Sequence, residues 1–382
     1  MFPGVLFWTS LAGVFYPYLL FPLILIVLSR VINADVDKRA ITPKVSMIIA
    51  AYNEEESIAA KLDNALALEY PAGSLEIIVA SDGSSDKTVE IAGSYSSAGV
   101  RCLDLPRRGK IFALIDAVEA SSGEILVFSD ANTMFEPQAL DMIVMNFADE
   151  DVGGVCGNQL HAKTAIGDSS GHGEQAYWSY DKWLKILESR TGSIVSADGA
   201  IYAIRKNLFQ SPESAAVTDD FAISTHVVER GYRLVYEPEA RAYEPPTGKT
   251  NKEFSRKVRI INRGLRSVML RKKLLNPFRY GVYSLTLFSH KISRRLVPVF
   301  LVLLFISNFF LFDEHILYLV ALLLQAGFYA WAVVSFLLRD KKIGQLKIFY
   351  LPFFFCMANL AALVSLFNLI IGKRVERWNP QR

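Results

Sequence analysis

Residues 124–137, EILVFSDANTMFEP, form an apolar run that stops on one carboxylate, Asp130. A continuous apolar run, rather than an alternating one, fits a strand buried on both faces of a parallel sheet. The same design recurs upstream. VSMIIAA at 45–51 gives way to YNEEES, and LEIIVAS at 75–81 runs into DGSSD. VRCLDL at 100–105 precedes GKIFALIDAVEAS, whose apolar residues recur at helical spacing. Strands separated by helices imply an α/β domain with a mainly parallel sheet and right-handed crossovers. In such sheets ligands bind beyond the carboxyl ends of the strands. The residues to weigh are therefore the polar ones that follow each run: Tyr52 and Glu54, Asp82 and Asp86, and Asp130. A lone Asp in such a place is commonly a helix cap or turn former. Several acidic strand ends on one edge point beyond capping. No Gly-x-Gly-x-x-Gly follows the first strand and no Walker A sequence is present, which disfavours a dinucleotide-binding domain or a P-loop ATPase.

The flanks differ from this centre. Of the 382 residues, 52% are hydrophobic, and the mean hydropathy is +0.26, too apolar for an ordinary soluble domain. Residues 5–29 carry no charge and are long enough to span a bilayer core of about 30 Å. Lacking a basic start and a short apolar core, they read as a retained anchor rather than a cleaved signal peptide. Arg30, Lys38, Arg39 and Lys44 follow it, so the positive-inside rule puts the next domain in the cytoplasm, at the inner (plasma) membrane. Three more spans are expected near 296–312, 316–338 and 348–372. Four spans would place the basic tail outside, against the same rule, unless Pro352 marks a kinked or re-entrant segment. The expected division is thus an anchor at 1–32, an α/β domain at 40–250, basic interfacial helices at 251–295, spans at 296–372 and a tail at 373–382. The net charge of +3 gives no reason to expect nucleic acid as a partner. Cys102, Cys156 and Cys356 have no metal or redox spacing and are expected to be reduced thiols.

An ordered set of motifs then carries a resemblance. VSMIIAAYNEEESI, EIIVASDGSSDKT, RRGKIFAL, ILVFSDAN, ADGAIYAIRK and VTDDFAIS…ERGYRLVYEPEA follow one another over about residues 40–270. The chain resembles membrane-bound family 2 glycosyltransferases of the Rossmann-like GT-A fold, inverting enzymes that include synthases of hyaluronan, cellulose and poly-N-acetylglucosamine. The resemblance implies that Asp130 opens an Asp-x-Asp element holding Mg²⁺ or Mn²⁺ against the diphosphate of a nucleotide-sugar. Hard cations suit such oxygen ligands. Asn132 replaces the second acid and can ligate only through a neutral amide oxygen. Asp82 would accept hydrogen bonds from the base or ribose, with Tyr52 and Glu54 lining the same pocket, although Tyr52 reads equally well as a half-buried structural residue. Lys110 would stand near the diphosphate at a helix N-terminus, where charge and dipole both favour phosphate; a solvated helix-start lysine is the alternative. Arg107 and Arg108 read as surface charge near that mouth. Asp220 takes the place of the general base, the group that receives the acceptor hydroxyl's proton, and Asp219 replaces the family's Glu beside it. The same TDDF also satisfies an ordinary helix start. Asp198 and Gly199 fall in the segment that shapes the acceptor site. Trp178 and Trp183 offer sugar-stacking faces or core packing.

The chain departs from the family after the base. Where processive members carry Gln-x-x-Arg-Trp, this sequence has Arg256, Arg259 and Ile260. Arg259 and Arg263 keep planar donors for a diphosphate, while the aromatic platform is missing. RKVRIINRGLRSVMLRKK also reads as a basic amphipathic helix on anionic membrane lipids, SHKISRR at 289–295 as a juxtamembrane basic cluster, and His290 as no metal ligand. Two enzyme readings remain. One is a synthase extending a glycan for exopolysaccharide or capsule from a UDP-sugar, its narrow four-span channel completed by a homo-oligomer or an export partner. The other is a single transfer onto a lipid-linked or membrane-lipid acceptor. The three acids weigh against a non-catalytic sensor, and the scarcity of charge in the spans against a transporter.

Overall fold

The computed structural model describes residues 2–161, 170–212, 218–245, 253–339 and 341–373. The chain forms two units. One holds Val31–Lys163 and Lys185–Gly248; the other holds Met1–Arg30, Thr164–Leu184 and Lys249–Val375. The helix Ser170–Arg190 is therefore divided between them in sequence.

The first unit is built on one eight-stranded sheet. Its strands are β1 (Val45–Ala51), β2 (Leu75–Asp82), β3 (Val100–Leu105), β4 (Ile125–Asp130), β5 (Met134–Phe135), β6 (Val152–His161), β7 (Ile201–Arg205) and β8 (Arg233–Glu244), in the order β3-β2-β1-β4-β7-β6-β8-β5. The pairs β1–β2, β1–β4, β2–β3 and β6–β8 are parallel. β7 runs antiparallel to β4 and β6, and β5 antiparallel to β8, so the sheet is mixed and mostly parallel. The continuous apolar runs have the expected cause: every residue of β1 is buried. Met47, Ile49, Ile77, Val79, Ile125 and Val127 face one side and join a core with Ile58, Leu62 and Ala65 of the helix Ile58–Leu66 and Leu140 and Ile143 of the helix Ala139–Val144. Each fully buried Ile or Val stabilises by about 1.5–3 kcal/mol. The helix Lys110–Ala120 meets the helix Asp219–Glu229 through Ile111, Ile115 and Ala222. The strand order turns back at β1, with β2 and β3 on one side and β4 on the other, which is where open α/β sheets make their ligand crevice.

Among the described residues four helices are long and apolar enough to cross a membrane: Phe2–Ile32, Val282–Phe309, Ile316–Leu338 and Lys347–Ile370. The second of these runs from Val282 through the π-helical stretch Phe288–Ser293 into Arg294–Phe309. Lys347–Ile370 continues as a helix through Pro352. The basic helix Glu253–Leu270 packs against Lys347–Ile370 through Ile261, Leu265, Ala361 and Ala362 and leaves Ile260, Met269 and Leu270 exposed. The stretch read as a juxtamembrane basic cluster is corrected by burial. His290 and Arg294 lie inside, with His290 Nε2 2.9 Å and Arg294 Nη1 3.3 Å from the Asp181 carboxylate. An apolar surrounding keeps opposite charges paired. Residues 374–382, most of the expected tail, lie outside the described residues.

Candidate active site

The parallel register pairs Ala51 with Ser81 and Ala50 with Asp130, so the ends of β1, β2 and β4 share one edge of the sheet. Asp130 closes β4. Its Oδ1 accepts from Lys110 Nζ at 2.7 Å, and the same ammonium lies 3.2 Å from Asp219 Oδ2. Burial acts to lower the Lys110 pKa, but Asp130 and Asp219 outweigh it and hold the ammonium above its usual range. Lys110 opens its helix after Gly109, and Asp219 and Asp220 open theirs, so the carboxylates stand where the helix dipole stabilises negative charge. Asp220 Oδ1 accepts from the Phe221 amide at 2.7 Å. A Cβ on Gly199 would lie 3.8 Å from Asp220 Oδ2, ordinary van der Waals contact, so Gly199 stands beside that carboxylate. Asp198 follows from the same segment, but its carboxylate pairs with buried Lys185, and its amide donates to Cys156 Sγ at 3.3 Å.

The nucleotide-side residues are paired within the protein. Asp82 is buried, and its oxygens already accept protein donors: the amides of Arg108 (2.8 Å) and Gly109 (2.8 and 3.0 Å), and the Arg107 guanidinium. It holds the segment leading into Lys110. Arg107 is not a bare surface charge. Its guanidinium lies 3.3 Å from the Tyr52 ring centroid, a cation–π stack locked by Asp82. The approach needs Gly83, at φ +65°, where a Cβ would meet Arg107 N at 2.8 Å. Arg108 pairs instead with Asp116. Glu54 accepts from Ser57 Oγ at 2.7 Å beside the start of Ile58–Leu66, and Asp86 caps Thr88 with a 3.0 Å bond to its amide. Trp183 is exposed. Arg259 and Arg263 belong to the membrane-type unit.

Two residues at this edge were missed by the sequence reading. Tyr202 on β7 stacks on Phe128 of β4 at 4.7 Å, and its buried hydroxyl has no hydrogen-bond partner among the described residues. Burial and then the charges of Asp219, Asp220 and Asp130 push its pKa well above normal, which puts the phenol within the field of all three acids. Lys61, in the helix Ile58–Leu66, is 0% exposed. Burial lowers its pKa to about 7, with Asp130 pulling it back up. Its signal was legible: Ile58, Lys61, Leu62 and Ala65 occupy one helix face, so a lysine sits in a core position. The Cys156 thiol is pushed up to about 12, chiefly by burial, and all three cysteines are free.

The donor chemistry fits a hard divalent cation. Asp130 already holds a cationic group, and Asn132 offers an amide oxygen two residues on. Among the described residues no group of three His, Cys, Asp or Glu surrounds a metal position.

Residues 46–211 match the family described as Glycosyl transferase family 2. The chain carries a family 2 glycosyltransferase domain. The poly-beta-1,6-N-acetyl-D-glucosamine synthase of Staphylococcus epidermidis is 30% identical over 203 residues, 51% of this chain and 48% of its own length. That of Staphylococcus aureus (strain COL) is 30% identical over 206 residues, 52% of this chain and 49% of its own. The chain spans about half the length of the curated relatives it matches. A mannosyltransferase from Pyrobaculum calidifontis, solved in complex with GDP-Man and Mn²⁺, is similar with a TM-score of 0.72 at 19% identity, covering 97% of this chain and 99% of that one. The likeness is one of fold, GT-A.

Proposed function

We propose that this glycosyltransferase moves a sugar, with inversion, from a nucleotide-sugar of the UDP class to a growing glycan at the cytoplasmic face of the plasma membrane, for exopolysaccharide or capsule. One observation carries the reading: Asp130, Lys110 and the Asp219–Asp220 pair converge where the strand order reverses. The basic residues after Phe2–Ile32 support the cytoplasmic side.

The residues divide the work as follows. Tyr52 and Arg107, locked by Asp82, offer a stacking face for the base, and Glu54 frames that pocket. Lys110 carries positive charge to the diphosphate. Asp130 and Asn132 would hold Mg²⁺ or Mn²⁺, which when bound offsets charge on the departing nucleoside diphosphate. Asp198, Gly199 and Asp219 border the acceptor. The acceptor oxygen forms its bond to the anomeric carbon from the side opposite the diphosphate. The anomeric carbon–oxygen bond breaks, and its electron pair leaves with the diphosphate. Asp220 takes the acceptor's proton as that hydroxyl becomes acidic in the transition state. Asp219, its neighbour in the same first turn, pairs with Lys110.

A second reading has its own observation. Ile260, exposed on Glu253–Leu270, stands where a processive enzyme has its aromatic platform, which favours a single transfer to a lipid-linked or membrane-lipid acceptor. Product size separates the two. Purified full-length protein in nanodiscs is incubated with radiolabelled nucleotide-sugars, Mg²⁺ or Mn²⁺ and a lipid extract. A large, glycosidase-sensitive product supports the polymer. One labelled sugar in the lipid phase supports single transfer. No transfer from any donor sinks both.

A further inference from the structure

We propose that Lys61 and Asn64, one turn apart on the helix Ile58–Leu66, are positioning residues that set the turn 130–133 for cation and diphosphate binding. The proposal rests on the reading of Asp130 and Asn132 given above. Lys61 Nζ donates to the Thr133 carbonyl at 2.5 Å and lies 4.1 Å from the Phe135 ring centroid. Asn64 grips the next peptide from both sides, its Nδ2 donating to Phe135 O and its Oδ1 accepting from Phe135 N, each at 2.8 Å. Upstream, the turn is fixed by the β1–β4 ladder, which pairs Ala50 with Asp130. Thr133 N closes the turn on Asp130 O at 3.3 Å. Between these anchors lie only Ala131, buried, and Asn132. Downstream, β5 pairs with β8 over two residues, too short a ladder to hold the turn unaided.

The choice of residue is the second argument. A buried ammonium is expensive, and Ile58 and Leu62 beside it show what this face needs for packing. A lysine there breaks the local rule, which points to function. Residues that orient ligands from behind govern cation affinity about 10- to 100-fold without touching the ion.

The test is Mn²⁺ titration, read by electron paramagnetic resonance, of full-length protein in detergent with saturating UDP and, separately, GDP. Lys61→Met keeps the stem and removes the charge and donor. It is expected to weaken Mn²⁺ binding about tenfold or more, to raise the KM for donor and metal, and to leave kcat at saturation within about twofold. Asn64→Ala, at a half-buried position, should weaken binding in the same direction and decides the matter if Lys61→Met does not fold. Wild-type Mn²⁺ affinity in either folded variant overturns the proposal. Asp130→Asn runs alongside. If the wild type binds and Asp130→Asn does not, a wild-type result for the clamp variants condemns the clamp alone. If the wild type itself binds no Mn²⁺ with either nucleotide, the reading of the turn fails first and the clamp with it.

Discussion

Replacing Lys110 with Met removes the ammonium that Asp130 and Asp219 share, at nearly unchanged side-chain length. The contacts are 2.7 and 3.2 Å, and the side chains keep 15% (Lys110), 16% (Asp219) and 34% (Asp130) of their surface. Breaking a fully buried pair costs about 3–5 kcal/mol, and an exposed pair is worth about 0–1. With one carboxylate a third open to water, we expect about 2–3 kcal/mol, between those limits. For a domain of this size that lowers the unfolding midpoint by about 4–12 °C. The sign with pH is fixed. Because the ammonium's pKa lies above its ordinary 10.5, the bridge's contribution is complete below that value and fades only above it, so the deficit should be flat across the neutral range. The variant should also gain more from Mn²⁺ than the wild type does, because a bound cation replaces the lost charge and ligand binding stabilises by mass action. The assay is thermal unfolding in detergent by intrinsic fluorescence, with and without Mn²⁺, at several pH values. A metal-free midpoint within a degree or two of wild type would refute the bridge. A fall in midpoint with no added response to Mn²⁺ would refute its role as the native counter-ion of a cation site.

Three further outcomes follow from the same geometry. Asp220→Asn should lower kcat by about 10²–10⁴ while leaving donor affinity within about twofold; single-turnover assays and nucleotide binding separate the two, and near-normal turnover would assign the base elsewhere. Gly83→Ala should weaken nucleotide binding and destabilise the protein by about 1–3 kcal/mol, since a methyl group meets Arg107 at 2.8 Å on a backbone of positive φ; unchanged urea unfolding would refute the close approach. The buried Lys61 makes stability rise with pH. Its folded pKa is about 7 against an ordinary 10.5, so the unfolded chain binds more protons between those values and the penalty, complete below about 7, disappears towards 10.5. The difference in urea stability between wild type and Lys61→Met should change over that window by an amount on the order of several kcal/mol, and a constant difference would show that the amine is not buried as a cation.

The sheet was legible because burial on both faces writes itself as unbroken apolar runs, and VSMIIAA and ILVFSD begin and end within a residue of their strands. The antiparallel β7 carries no such mark; IYAIR reads like any short strand, and its direction depends on partners distant in sequence. At the site, type and order of residues placed Asp130, Lys110 and the Asp219–Asp220 pair on one edge. They could not reveal that Asp82 is consumed by Arg107 and two amides, because that depends on how closely the segment before Lys110 approaches the end of β2. Tyr202 escaped notice for a similar reason. Only the β4–β7 register brings its ring over Phe128 and its hydroxyl into the field of the acids. His290 and Arg294 were misjudged as exposed because a basic run beside an apolar one looks superficial until its carboxylate partner, Asp181, is found.

That partnership has a consequence for biosynthesis. Asp181 leaves the ribosome 109 residues ahead of His290. At about 5–20 residues per second the interval is roughly 5–20 s. During it the helix that bears Asp181 carries a carboxylate meant for an apolar interior, with neither of these two partners yet made. Nor does any single cut separate the units, since Thr164–Leu184 belongs with a stretch that begins only at Lys249. A nascent chain halted before Ser289 would hold all eight strands and both helices that frame Lys110 and Asp220, and would still lack the two partners that settle Asp181.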